Sequence, residues 1–275
     1  MLEIGSIVGG KYRKYKILDK ISHGGMYDVY LVFNEKENKG WIARTIDKDS
    51  DGKNAIKSHE LILRAEELQN LHHENMQNII EIIEENEMLV IIMDYIEGKP
   101  LASVLKHQGA QPEANVVEWS KQLCDVLGYL HTREKPMIYN QLSLSNIVLG
   151  PDGNIKLLDV WNAVVMKIQT NSENAIWTDS LGIAQNVAPE QFGDFGHVDE
   201  RTDIYCLGVV MHQLLTGNDP TKPPYEMYPI RYYRTDLSSS LERVILKCTQ
   251  FDRKDRYQSC KKLKHILEIY NSYDS

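Results

Sequence analysis

β-Branched and aromatic residues fill the stretch from residue 11 to 33 on both sides of Gly24-Gly25, a pattern that predicts two strands joined at that turn. A third strand is expected over 41–47 and two more over 79–84 and 88–93, with one helix over about 55–71 between them. After Asp94-Tyr95-Ile96-Glu97-Gly98 the period changes. Apolar residues recur at three- and four-residue spacing over 113–132, 199–216, 237–249 and 257–269, which predicts helices, and Gly217 behind Leu214-Leu215-Thr216 is a helix stop. No internal repeat or low-complexity segment interrupts the pattern. At 275 residues the chain exceeds the usual size of one domain core, so two lobes with a core each are expected.

Composition narrows the function classes. A hydrophobic share of 42% can build both cores, while a net charge of −8 with no basic run longer than Lys261-Lys262 argues against binding nucleic acid or an anionic membrane surface. Cys124, Cys206, Cys248 and Cys260 lie in helical patterns without metal-ligand spacing, which suits reduced thiols. The first residues lack a basic start with an apolar core, and the longest apolar run, 88–93, is too short to cross a bilayer. The expectation is a cytoplasmic chain, either free or as the cytosolic part of a longer membrane protein.

Chemistry concentrates in two stretches. The first is Met137-Ile138-Tyr139-Asn140-Gln141-Leu142-Ser143-Leu144-Ser145-Asn146-Ile147-Val148-Leu149, and the second is Gly153-Asn154-Ile155-Lys156-Leu157-Leu158-Asp159-Val160-Trp161. Together with Ser22-His23-Gly24-Gly25, Trp41-Ile42-Ala43-Arg44, Ala188-Pro189-Glu190, Asp203-Ile204-Tyr205-Cys206-Leu207-Gly208 and Arg256, they resemble the eukaryotic-like serine/threonine protein kinases of bacteria. The resemblance runs from about residue 10 to residue 270. It implies an α+β, bilobal kinase-like fold, with a small β-rich N-lobe carrying one helix (about 8–94), a hinge (94–98) and a larger, mainly helical C-lobe (about 99–270).

Against that family's pattern several positions are changed. Arg44 stands at the phosphate-binding Lys, Arg64 at the helix Glu that pairs with it, Asn140 and Gln141 at the Arg and the base Asp, Ser143 at the following Lys, and Trp161 at the Gly of Asp-Phe-Gly. A planar guanidinium replaces a compact ammonium poorly where two phosphates and a carboxylate must be bridged. Glu60 or Glu67, a turn away on the same helix, is the alternative partner for Arg44. An amide cannot take a proton at neutral pH, and loss of a general base costs about 100- to 10,000-fold. The Gly182-Ile183-Ala184-Gln185-Asn186-Val187 stretch lacks the family's peptide-positioning Thr and Tyr, and with Asn140 in place of the family's Arg there is no obvious cation to receive a phosphate on Thr170, Ser172, Thr178 or Ser180.

Other positions are kept. Asn146 and Asp159 match the magnesium ligands, and Gly24, Gly25, Val29, Ala43, Met93, Asp94, Ile96 and Val148 match the nucleotide slot, which keeps ATP with magnesium open as a ligand. Glu190, Asp203 and Arg256 match scaffold positions. The balance of losses leads to the expectation of a non-enzyme: a pseudokinase that binds a protein partner, such as an active kinase of the same cell, or that senses ATP. A weak or atypical ATP-dependent serine/threonine protein kinase is the alternative.

Overall fold

The computed structural model describes residues 2–24, 27–47, 55–85, 88–165, 187–191, 198–220, 222 and 226–270. The chain is α+β and divides into two compact units, Met1–Ile96 and Glu97–Ser275.

The first unit contains β1 (Ile7–Gly9), β2 (Lys14–Gly24), β3 (Tyr27–Asn34), β4 (Lys39–Asp47), α1 (Ala55–Gln69), β5 (Ile79–Glu85) and β6 (Met88–Asp94). These strands form one antiparallel sheet in the order β1-β2-β3-β4-β6-β5. β3 alternates half-buried and buried residues along its whole length; its β-branched and aromatic content made it legible. One face of the sheet holds a core of Tyr15, Ile17, Tyr30, Val32, Trp41, Ala43, Val90 and Ile92. β1 was not anticipated, because it spans three residues, Ile7-Val8-Gly9, of which only Val8 is buried, too few to show a period.

The second unit contains β7 (Lys99–Pro100), α2 (Leu101–Gln108), α3 (Glu113–His131), β8 (Met137–Ile138), β9 (Ile147–Leu149), β10 (Ile155–Leu157), β11 (Val164–Val165), α4 (Glu200–Thr216), α5 (Ile230–Tyr233), α6 (Ser239–Cys248) and α7 (Cys260–Ile269). α4 packs against both α3 and α6 and is buried around most of its circumference, as a central core helix should be. Its start is one residue later than the apolar pattern suggests. Asp199 stands outside as N-cap and completes a capping box with Thr202, and Gly217 closes the helix at φ 74°. α7 likewise begins at Cys260, with the Ser259 hydroxyl accepting from the Lys262 N–H. The two- and three-residue strands β7 to β11 are too short to show a period in sequence.

Gly98 is fixed by contact. Its φ is +147°, and a Cβ there would overlap the Leu149 carbonyl oxygen and lie 2.7 Å from Val148 Cγ1, so this position accepts only glycine.

Candidate active site

In the first unit the sheet register decides which side chains share a face. Val29 lies opposite Arg44, Leu31 opposite Ile42, and Ile42 opposite Met93. Residues directly across a ladder point the same way, so Val29, Ile42, Arg44 and Met93 share one face. Ala43 is fully buried on the other, core face with Tyr30 and Trp41, which corrects its assignment to the nucleotide slot. Ile42 takes the place on the Val29 face, and counting by twos from Arg44 would have found it.

Arg44 is buried, and its guanidinium lies 4.3 Å from the Tyr27 ring centroid. Arg64, on α1, is half-buried and pairs with Glu67 at 3.5 Å. Burial lowers the Arg64 guanidinium below its ordinary value, against the opposing pull of Glu67. Glu67 is thus an ion-pair partner of Arg64, and the side chain of Glu60 lies outside the described residues. Gly24 ends β2 opposite Tyr27, while Gly25 is outside the described residues. At the end of β6, the Asp94 backbone N–H donates to the Asn78 carbonyl and its carbonyl accepts from Gln77 Nε2 at 2.8 Å. Ile96 is half-buried.

In the second unit β9 and β10 form a hairpin with Ile147 opposite Leu157. One step further the Leu158 N–H donates to the Asn146 carbonyl at 2.8 Å. The register therefore sets Asn146 opposite Leu158, the residue before Asp159, at the open end of the hairpin, although twelve positions separate Asn146 and Leu158 in sequence. Asp159 takes a left-handed conformation (φ 57°, ψ 42°), which Asp tolerates better than most residues, and caps the 3₁₀ turn Val160–Asn162. Trp161 sits inside that turn, half-buried, and is not among the positive-φ residues. The backbone there therefore needs no glycine. Val148 is buried on β9.

The loop from 139 to 146 is held from below by Asp203, a fully buried residue of α4. Its carboxylate accepts the Tyr139 N–H (2.8 Å), the Asn140 N–H (2.8 Å) and His131 Nε2 (2.7 Å). Burial alone would lower His131, but its bonds to Asp203 and to Cys260 Sγ (3.7 Å) outweigh it and raise the imidazole to about 10. His131 is therefore an imidazolium at neutral pH. The Tyr139 hydroxyl donates to the Leu158 carbonyl (2.7 Å), joining the loop to the strand that leads into Asp159. The Asn146 amide donates to the Gln141 carbonyl (3.1 Å) and the Asn146 N–H to the Ser143 carbonyl (3.1 Å), so Gln141 and Ser143 are shaped by the same residue.

Glu190 and Arg256 meet in a buried bidentate pair, Nη1 to Oε1 at 2.7 Å and Nη2 to Oε2 at 2.8 Å, with the Thr202 hydroxyl on Oε1 as well. Burial pushes the Glu190 carboxyl up, but Arg256 and Thr202 more than offset this and hold it below the usual value. Sequence reasoning did not single out His131, Cys260, Gln191 or the ring of Tyr27 as partners. Each acts through a long-range contact that leaves no periodic signal. Thr170, Ser172, Thr178, Ser180 and 182–186 lie outside the described residues.

An amide oxygen and a carboxylate are hard donors of the kind magnesium takes in small number alongside nucleotide phosphates. Among the described residues no group of three or more His, Cys, Asp or Glu side chains could hold a metal, and no helix is long and apolar enough to cross a membrane.

Residues 15–268 match the protein kinase domain family. The chain is 27% identical over 281 residues to the probable serine/threonine-protein kinase CPE1738 of Clostridium perfringens, covering 96% of this chain and 39% of that protein. It is 25% identical over 287 residues to the serine/threonine-protein kinase PrkC of Bacillus subtilis, covering 99% of this chain and 42% of that protein. The chain thus spans about two fifths of the length of these relatives. The kinase domain of Mycobacterium tuberculosis PknI superposes with a TM-score of 0.74 at 19% identity, covering 99% of this chain and 100% of that one, and shares the fold.

These relatives are enzymes by name, which overturns the expectation of a non-enzyme. The physical reason is that phosphoryl transfer passes through a loose transition state in which positioning and electrostatics do most of the work. Substitution of the base removes one contribution among several. A β-rich unit with one helix among its described residues, a mainly helical unit, and a family match across 15–268 lead to one conclusion: the chain belongs to the protein kinase domain family.

Proposed function

We propose that this chain transfers the terminal phosphate of ATP to serine or threonine hydroxyls of protein substrates, as a slow kinase with an atypical residue set. The observation that carries the reading is the convergence of the segments bearing Asn146 and Asp159 at the open end of the β9–β10 hairpin, where the Leu158 N–H bonds the Asn146 carbonyl. When bound, magnesium would be held by these two side chains and would neutralise charge on the phosphates. Within the first unit, Val29, Ile42 and Met93 share one apolar sheet face.

Gln141 cannot act as a base. Its amide oxygen can accept a hydrogen bond from the substrate hydroxyl and orient it, and the proton then leaves on the transferred phosphoryl oxygens or to water. Kinases turn over about 1 to 100 times per second, and loss of a base costs about 100- to 10,000-fold, which sets the expected rate on the order of 0.0001 to 1 per second.

The test is incorporation of label from γ-labelled ATP into the purified chain and into protein substrates, with and without magnesium. The expected result is slow, magnesium-dependent incorporation that disappears in Asp159→Ala. Incorporation no greater in the native chain than in that variant would overturn the reading.

A further inference from the structure

Asn140 is one of few described non-glycine residues at positive φ (67°), and it directly precedes Gln141. Its backbone N–H is taken by Asp203 Oδ1 at 2.8 Å. On its other side a second residue holds it: Gln191 Nε2 lies 2.9 Å from the Asn140 carbonyl oxygen and 2.9 Å from Asn140 Oδ1, so the two amide hydrogens have an acceptor each. The same side chain uses its Oε1 to accept the Ala188 N–H at 2.6 Å, with Cys206 Sγ at 3.9 Å. The Gln191 amide is therefore used at both ends.

The base from which Gln191 reaches is itself rigid. The Gln191 N–H donates to the Ala188 carbonyl at 2.9 Å, closing the Pro189–Gln191 turn. The neighbouring Glu190 is locked to the fully buried Arg256, which also donates to the carbonyls of Gln250, Arg201 and Phe251. A strained left-handed residue persists only where its surroundings over-determine it, and Asn140 is held from the α4 side by Asp203 and from the Pro189–Gln191 side by Gln191.

We propose that Gln191 is a positioning residue: its side-chain amide ties Asn140 to the Ala188–Gln191 turn and so sets where Gln141 stands to receive the substrate hydroxyl, through neutral amides and without a phosphorylated residue. The consequence for the reaction rests on the kinase reading above. The consequence for the loop does not. Removing the amide frees the Asn140 carbonyl and Oδ1 and leaves Asn140 itself held from the α4 side, which loosens the backbone around 139–142 while the Asp203, Tyr139–Leu158 and Arg256 contacts stay in place.

Gln191→Met keeps the length of the side chain and removes both donors and the acceptor. The first measurement is amide hydrogen exchange over a peptide spanning 137–149, before and after phosphatase treatment. Exchange at 139–142 is expected to speed up about tenfold in the variant, with the melting temperature held within a few degrees and the native protein unaffected by phosphatase. The second is kinetics: kcat should fall about tenfold while the KM for ATP stays within about twofold, since nucleotide contacts are not touched. Asn140→Gly keeps the positive φ and the carbonyl acceptor but removes Oδ1, and should give a smaller change of the same kind. This variant decides the matter should Gln191→Met fail to fold. Unchanged exchange in the variants, or exchange in the native protein that alters on phosphatase treatment, overturns the proposal. A native chain with no transfer activity but with the expected exchange pattern would defeat the kinase reading and leave Gln191's hold on the loop standing.

Discussion

The Arg44 guanidinium lies over the ring of Tyr27, 4.3 Å from its centroid. The contact follows from the ladder: Arg44 is opposite Val29, and Tyr27 is two residues along the same strand face, a diagonal pair within reach of long side chains. In the kinase pattern these two positions resemble a loop glycine and a phosphate-binding lysine. Each change looks damaging alone. Together they are complementary, since a planar guanidinium stacks on an aromatic face better than an ammonium does and an aromatic ring shields a buried cation.

The pair should therefore show coupling. Tyr27→Leu, Arg44→Met and the double variant, compared by denaturant unfolding, are expected to be non-additive by about 1 to 2 kcal/mol, the range of a desolvated cation–π contact. Strict additivity would mean that the stacking contributes nothing.

Glu190→Gln should be among the more destabilising single changes, at about 3 to 5 kcal/mol, because it leaves the buried Arg256 charge uncompensated. The sign of its pH dependence follows from the lowered Glu190 carboxyl. Stability from such a group is present above the ordinary carboxylate value and is lost as pH falls through the lower, folded value. The gap between the native protein and Glu190→Gln should accordingly narrow on acidification, as read by unfolding at successive pH values, and a gap that widened would contradict the assignment.

His131 predicts the opposite trend. Its value is raised to about 10, so the stability it contributes is complete below the ordinary imidazole range and disappears as pH rises through about 10. Relative to His131→Gln the native protein should be more stable by several kcal/mol at pH 6, with most of the difference gone by about pH 10. Two unfolding curves that run parallel across this window would show that His131 is not charged against Asp203.

Gly98→Ala forces a methyl group into the Leu149 carbonyl and Val148 at a backbone φ that L residues avoid. A loss of about 2 to 4 kcal/mol is expected, far above the usual gain from replacing a glycine. Gly153→Ala, where φ is +82° but no atom lies within 4 Å of the added Cβ, should cost about 1 kcal/mol. Equal losses at the two sites would remove the role assigned to the Leu149 contact.

Much of the fold was legible in the chain because its elements obey short-range periods. Strands such as β3, rich in β-branched and aromatic residues, and helices such as α3, with apolar residues each three or four positions, carry their signal in neighbouring residues, so their pattern precedes their packing. The substitutions at Arg44, Arg64, Gln141 and Trp161 were equally plain. What they amount to was not. The sequence identified a missing base and led to the expectation of no enzyme. Sequence distance hid the frame that surrounds it: Asp203 under Tyr139 and Asn140, His131 charged beneath Asp203, Gln191 across from Asn140, and Asn146 level with Leu158. Ala43 shows the limit most simply. Its residue type suited the nucleotide slot, but one position of register turned it into the core and put Ile42 in its place. Composition and period are local quantities set by neighbouring residues. Which atoms meet across 64, 51 or 66 positions, as in Tyr139 with Asp203, Gln191 with Asn140 and Arg256 with Glu190, is decided only when strands register and helices pack.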